Sequence, residues 1–150
     1  MTTALKTFTT SDPTLSRDLT VEGEAWVANC NRAQTFRLFE VSGPGVEDCT
    51  VFYLAKLKTE GLTGRAYLEM WCRLPGRGEF FSKGIMNTVT GTNDWVSCEI
   101  PFFLKKGQKP DLIRLNLIVE AVGKLFWKKP VAGRIWVKEV ALLRADPVAQ

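Results

Sequence analysis

The chain has 150 residues, 45% of them hydrophobic and 24% charged, which is enough for one domain with a buried core and excludes a disordered chain. Its 20 Lys and Arg against 16 Asp and Glu give a net charge of +4, and no basic cluster belongs to a nucleic-acid-binding motif. No apolar stretch approaches the ~20 residues that span a bilayer, and the N-terminus carries no secretory signal.

We therefore expect a single domain over residues 1–150, with frayed ends at residues 1–12 and 146–150. Neither a nucleic-acid partner nor a membrane span is expected. The lack of a signal favours a cytoplasmic protein, whereas a module of a larger exported protein would be extracellular.

The first half of the chain predicts four strands. Apolar and β-branched residues dominate residues 25–30, 35–41 and 50–58, and residues 65–74 alternate with a period of two, which is typical of a strand with one buried face. The predicted core set is Ala66, Leu68, Met70, Cys72 and Leu74, and the outward set is Arg65, Tyr67, Glu69, Trp71 and Arg73. Turns rich in Gly and Pro, including one at residues 60–64, separate these strands.

The second half predicts four more strands, at residues 79–82, 95–104, 112–120 and 134–143. Pro101 indicates that the strand over 95–104 lies at a sheet edge or contains a bulge. In the last strand the apolar parity shifts after Val137, which predicts a β-bulge at Lys138 and Glu139.

No window of ten or more residues has a helical period, so the sequence predicts an all-β fold. About eight strands separated by turns indicate a two-layer antiparallel β-sandwich. An eight-stranded jelly roll is the first candidate, and a fibronectin-like sandwich is the alternative.

The four cysteines, Cys30, Cys49, Cys72 and Cys98, form no CxxC pair, so the sequence predicts neither a zinc site nor a redox motif. Cys72 and Cys98 occupy apolar positions of predicted strands, where a reduced Cys packs as a small hydrophobic residue. We expect free thiols and a reducing compartment, with a disulfide in an exported domain as the alternative.

The second half of the chain also resembles jelly-roll carbohydrate-binding modules of the galactose-binding-like superfamily. The similar motifs, in the family's order, are GTNDW at 91–95, IPF at 100–102, IRL at 113–115 and GRIWVKEV at 133–140. The resemblance covers roughly residues 20–144. It implies a non-catalytic domain that binds a carbohydrate ligand on its concave sheet, and a structural role for Trp136.

Two departures from the family pattern bear on its other features. Where the closing strand of such modules carries paired aspartates that help to hold a structural calcium, this chain has Lys138 and Glu139. Glu139, with Glu22 or Glu24, is therefore only a weak calcium candidate, and no other cofactor is expected. Residues 124–132 look like an insertion, and its pair Phe126 and Trp127 would contact a ligand, a partner or a membrane surface, or plug a hairpin.

The chain has no histidine, so catalysis would depend on carboxylates. Glu69, Glu99 and Glu120 all have outward parity, but Arg or Lys neighbours of the same parity favour cross-strand ion pairs. We therefore predict that the protein is not an enzyme, with a glycoside hydrolase that uses paired Glu as the third hypothesis.

The outward faces supply the candidate ligand site. Aromatic rings on which a pyranose stacks, beside polar groups that bind its hydroxyls, are typical of sugar clefts. The predicted ligand-binding residues are Tyr67, Glu69, Trp71, Arg73, Trp95, Arg114 and Asn116. The same rings, or residues 124–132, would instead form the interface of a homodimer if the chain is a protein interaction or assembly domain.

Overall fold

The computed structural model describes residues 2–123 and 129–147, so the predicted contacts of Phe126 and Trp127 lie outside the described residues. These residues form nine β-strands and no helix, and none of the described segments is a helix able to cross a bilayer. The strands are β1 (Thr2–Phe8), β2 (Leu19–Glu22), β3 (Ala25–Cys30), β4 (Gln34–Ser42), β5 (Cys49–Leu74), β6 (Gly78–Lys83), β7 (Val89–Leu104), β8 (Leu112–Glu120) and β9 (Ala132–Ala145).

All strand pairs are antiparallel, and they form two layers that share β5. The second half of β5 pairs with β8 and β6, and β4 pairs with β8, which gives a four-stranded layer in the order β4-β8-β5-β6. We call this layer the cleft sheet. The first half of β5 pairs with β7 and β9, and β9 pairs in turn with β3 and β1; we call this layer the opposite sheet. The predicted all-β jelly-roll sandwich is confirmed.

The long strand β5 replaces two predicted strands and a predicted turn. Its core-facing side chains are odd-numbered in the first half, from Val51 to Leu57, and even-numbered from Ala66 to Leu74. Gly61 and Gly64, with φ of 57° and 98°, lie where the parity changes, and the register also shifts there. The turn predicted at residues 60–64 is therefore wrong: the glycines bend the strand from one layer into the other without ending it.

The predicted bulge in β9 is confirmed. Val137 pairs with Leu57 and Lys138 with Lys56, but the next β5 partner, Leu54, pairs with Ala141, so β9 contains an extra residue. Glu139 takes the left-handed conformation, with φ of 53°. The bulge returns Val140 to the buried face, and thus both ends of β9 contribute to the core.

The core lies between the two layers. The predicted core set of β5, from Ala66 to Leu74, is buried, and it packs in one cluster with residues of β8 and β9. All four cysteines are free and buried, as predicted. Burial raises the pKa of the Cys72 thiol to about 12, so this residue stays protonated at neutral pH and packs as an apolar side chain.

The N-terminal segment pairs with the sheet, which the sequence does not predict. Residues 2–8 form β1 on the edge of β9, within the range 1–12 for which frayed ends are expected. Phe8 stacks on Phe39 with ring centroids 4.0 Å apart, and Trp26 meets Phe39 edge-on at 5.3 Å. One buried ring therefore anchors a strand whose other side chains are mostly exposed.

Among the described residues, β7 pairs only with β5, so the edge position predicted from Pro101 is confirmed. Pro101 lies opposite Phe52 in this pair. A proline lacks the amide N–H of a sheet donor, and an edge strand tolerates this loss.

Gly133 lies at the seam between β9 and the bend of β5, with φ of 117°, and a Cβ there would lie 2.6 Å from the Gly61 carbonyl oxygen. We expect Gly133→Ala to lower the free energy of unfolding by more than the ~1–2 kcal/mol of backbone strain alone, measured by urea unfolding. Gly107→Ala is the control, because Gly107 also has a positive φ of 85° but open space around it. Equal losses in the two variants would contradict close packing at the seam.

Candidate functional site

The outward face of the cleft sheet contains an open cleft of about 570 Å³ that crosses four strands. Its lining residues are Thr35, Arg37, Glu69, Trp71, Glu79, Arg114 and Asn116. Strand register arranges the face in two rows. One row runs Arg37, Asn116, Glu69, Lys83, and the next runs Glu40, Arg114, Trp71, Phe81, each with one residue from β4, β8, β5 and β6 in that order.

The centre of the first row is a buried polar pair. Glu69 and Asn116 are 6% and 7% exposed, and the Asn116 side-chain amide donates a hydrogen bond of 3.0 Å to the Glu69 carboxylate. Lys83 Nζ lies 3.6 Å from the other oxygen of Glu69. Because both partners are fixed by a strand and by each other, the floor of the cleft presents preorganised polar atoms.

Ion pairs hold the side chains around Arg114. Its guanidinium contacts the carboxylate of Glu40 at 3.4 Å and also pairs with Glu79. Arg37 lies beside the same Glu40, with 3.6 Å between its Nη2 and the Glu40 Oε1. Each carboxylate of the cleft face, Glu40, Glu69 and Glu79, thus has a cation within 4 Å.

Two aromatic rings lie at the β5–β6 side of the cleft. The ring centroids of Trp71 and Phe81 are 5.1 Å apart, with 54° between the planes. Phe81 is 54% exposed, and Trp71 is half-buried. The rings form an angled apolar surface that an apolar ligand face can contact.

The structure brings four of the seven predicted ligand residues together in the cleft: Glu69, Trp71, Arg114 and Asn116. The face also contains five residues that are not among those predicted: Thr35, Arg37, Glu79, Phe81 and Lys83. The alternation of Glu79, Phe81 and Lys83 is a usable signal, since a hairpin closed by residues 75–77 places these residues opposite Arg73, Trp71 and Glu69.

Tyr67 lies on the same face but is only 3% exposed, so its ring is not a free platform. Its hydroxyl donates to a carboxylate oxygen of Glu120 at 3.2 Å, and the Arg65 guanidinium lies 5.6 Å from the ring centroid and pairs with Glu120. Burial, followed by the nearby Glu120 charge, raises the pKa of Tyr67. The Arg65–Tyr67–Glu120 cluster is therefore a self-satisfied network beside the cleft.

Arg73, at the end of the same face, binds Asp111 through two hydrogen bonds of 2.8 and 3.1 Å. The loop that follows β7 is thereby tied to β5. The hydrogen bond from Arg73 lowers the pKa of the Asp111 carboxyl. Arg73 does not line the cleft.

Trp95 does not belong to this face, which corrects its grouping with Trp71. It lies on β7 in the opposite sheet, against Trp136, Ala25 and Val27, and Lys138 Nζ lies 4.1 Å from its ring centroid. Outward parity indicates that the Trp95 side chain points away from the core, but it does not indicate which of the two outer faces carries the ring.

The three Glu residues considered for catalysis are not brought together. Glu69 lies in the cleft, Glu120 pairs with Arg65, and Glu99 lies on β7 in the opposite sheet. Glu139, the weak calcium candidate, is paired with Lys56 at 3.0 Å. In the described part of the chain, no three His, Cys, Asp or Glu side chains are grouped so that they could hold a metal ion.

The sequence matches no family model and no curated protein, but solved structures share the fold. A carbohydrate-binding module of family 4 (CBM4) superposes with a TM-score of 0.58 and 11% identity, over 86% of this chain and 76% of that one. The CBM22-1 xylan-binding domain of Paenibacillus barcinonensis Xyn10C superposes with a TM-score of 0.50 and 11% identity, over 97% of each chain.

A third structure, CBM22-1 with the GH10 module of Clostridium thermocellum xylanase 10B, was solved in complex with xylohexaose. It has a TM-score of 0.53 and 10% identity, over 95% of this chain and 25% of the longer one. The resemblance to jelly-roll carbohydrate-binding modules is thus confirmed for the fold.

The Glu69–Asn116 pair gives a test of the polar floor. We expect Asn116→Leu to lower the free energy of unfolding by about 1–3 kcal/mol, because a buried carboxylate oxygen loses its donor. The double variant with Asn116→Leu and Glu69→Met should lose less free energy of unfolding than the two single variants lose together, since no buried polar group then lacks a partner. Urea unfolding of all four proteins checks this, and strict additivity would show that the two residues are uncoupled.

The Arg73–Asp111 pair predicts a pH dependence. Because the folded-state pKa of Asp111 is lowered, its stabilising effect is present above the ordinary carboxyl pKa, about 4, and is lost as the pH falls below it. Asp111→Asn should therefore lower Tm at pH 7 but make little difference near pH 2. Glu60→Gln, at an exposed position of β5, is the control. If Asp111→Asn lowers Tm by the same amount at both pH values, the ion pair is contradicted.

Proposed function

We propose that this chain is a non-catalytic carbohydrate-binding module that holds a glycan in the cleft of the cleft sheet. The observation that carries the proposal is the cleft itself, in which the Trp71–Phe81 ring pair adjoins the polar floor made by Glu69 and Asn116. The fold shared with carbohydrate-binding modules supports it.

The two kinds of lining suit the two kinds of surface that a sugar presents. The C–H face of a pyranose packs against an aromatic ring, which removes apolar surface from water. The hydroxyls then meet acceptors on Glu69 and donors on Asn116 and Arg114, all within the same cleft. The polar groups are already paired with one another, so they need little reorganisation to receive a ligand.

The dimensions of the cleft suit an oligosaccharide. The cleft crosses four strands, hence three inter-strand spacings of about 4.8 Å each. A chain of a few sugar residues fits across this width. Two of the similar structures are described as a xylan-binding domain and as a complex with xylohexaose, so xylan is a suitable first probe.

A binding role explains the cleft better than hydrolysis does. Both hydrolytic mechanisms need one carboxyl group that stays protonated and one that acts as base or nucleophile. Glu40, Glu69 and Glu79 are each engaged in an ion pair with a cationic side chain. No two of these cleft carboxylates are free of a basic neighbour, as a catalytic pair would be.

One observation favours a second candidate function, an assembly domain. Phe80 and Phe81 are 43% and 54% exposed on β6, which among the described residues pairs only with β5. An exposed apolar edge of this kind also suits a protein partner. Measuring the molecular mass as a function of protein concentration detects the dimer that the second candidate predicts. A dimer that forms through β6 would be lost in the Phe81→Ser variant.

Binding to xylan and to a panel of other polysaccharides in affinity gels tests the main proposal. We expect Trp71→Ala to weaken binding about tenfold or more, since removing a ring contact forfeits roughly 1.5–3 kcal/mol of apolar burial. Trp95→Ala is the matched control, because it removes the same type of side chain from the opposite sheet. Retained binding in Trp71→Ala would contradict the site, and an unmodified protein that binds no glycan and forms dimers would support the assembly domain instead.

A further inference from the structure

One cation of the cleft is held less firmly than the others. The Arg37 side chain lines the cleft and is 58% exposed. Within the described part of the chain its guanidinium has one ion pair, at 3.6 Å, with Glu40, three residues along its own strand. By contrast, Arg114 is 32% exposed and bound by two carboxylates, and Lys83 lies against the buried Glu69.

Glu40 does not depend on Arg37 for its charge balance. Its Oε1 faces Arg37, while its Oε2 lies 3.4 Å from Arg114 Nε. If Arg37 turned to a ligand, Glu40 would keep Arg114 as a partner. The guanidinium of Arg37 can therefore change partners at little cost, since an exposed ion pair contributes only about 0–1 kcal/mol.

We infer that Arg37 binds a carboxylate of the glycan, so that the ligand class of this cleft is an acidic glycan that carries uronic acid residues. The inference rests on the proposed function. A planar guanidinium fork matches a planar carboxylate through two parallel hydrogen bonds, and a neutral hydroxyl does not use that geometry. The cleft has three cations, Arg37, Lys83 and Arg114, and as many carboxylates, Glu40, Glu69 and Glu79. Because Glu40 is also held by Arg114, Arg37 is the cation whose guanidinium is most open to a carboxylate of the ligand.

The register sets the distance between the carboxylate and the stacked sugar. Arg37 lies on β4 and Trp71 on β5, in the neighbouring row and with β8 between them, so their backbones are separated by more than two inter-strand spacings, about 10 Å. This separation exceeds the width of one pyranose ring. The sugar that stacks on Trp71 and the sugar that carries the carboxylate are therefore different residues of one glycan chain.

The test uses one polysaccharide in two forms: a xylan that bears glucuronic acid side groups, and the same xylan after its carboxyl groups have been reduced to alcohols. We expect the unmodified protein to bind the native form about tenfold more tightly than the reduced form, the effect of one charge-assisted contact. This preference should shrink when NaCl is raised from 50 to 500 mM, because the contact is solvent-exposed.

Arg37→Gln should remove the preference, so that this variant binds the native and the reduced xylan with equal affinity. Arg32→Gln is the matched control, because Arg32 is an exposed arginine outside the cleft, bonded only to Gln34 among the described residues, and the preference should persist in it. Equal affinity of the unmodified protein for both forms, or an Arg37→Gln variant that weakens both equally, would overturn the inference. Neither result would affect the proposed function, which fails instead if no glycan binds or if Trp71→Ala binds normally.

Discussion

The fold depends on one strand that belongs to both layers. β5 exchanges its pairing partners near residues 60–64, from β9 and β7 to β8 and β6, and its buried parity changes from odd to even at the same place. If the strand had turned without the change of parity, its second half would have exposed Leu68 and Met70 and buried Arg73. The glycines at the bend therefore decide which side chains reach the cleft.

Much of this architecture was predictable because period-two alternation reports burial directly. Residues 25–30 and 112–120 were predicted with the bounds observed for β3 and β8, since each combines apolar side chains with clear turn residues at its ends. β1 and β2 are not predicted, because strands without a buried face show no such alternation. Their side chains are mostly exposed, and their edge pairing with β9 and β3 leaves no pattern in the sequence. The sequence predicts a turn at the bend in β5, because glycines such as Gly61 and Gly64 are typical of turns as well as of bent strands.

The candidate site was predictable only in part. Parity separated Glu69, Trp71, Arg114 and Asn116 from the core, and the structure places all four in one cleft. Parity does not say which strands are neighbours, so Trp95 was assigned to the wrong face and Arg37 was overlooked. Parity also does not show how deeply a side chain is buried. Tyr67 and Trp71 have the same parity, but only Trp71 is accessible, because Tyr67 is enclosed by its hydrogen-bonded network with Glu120.

The shared strand also has a mechanical consequence for recognition. Because one continuous backbone carries both the centre of the cleft and the centre of the opposite sheet, the cleft sheet cannot slide or tilt without disturbing the other layer. Shape adjustment is then left to exposed side chains such as Arg37 and Phe81 and to the ligand. For the proposed glycan ligand, we expect binding to a fixed backbone, so that the ordering entropy of association is borne mainly by the flexible glycan.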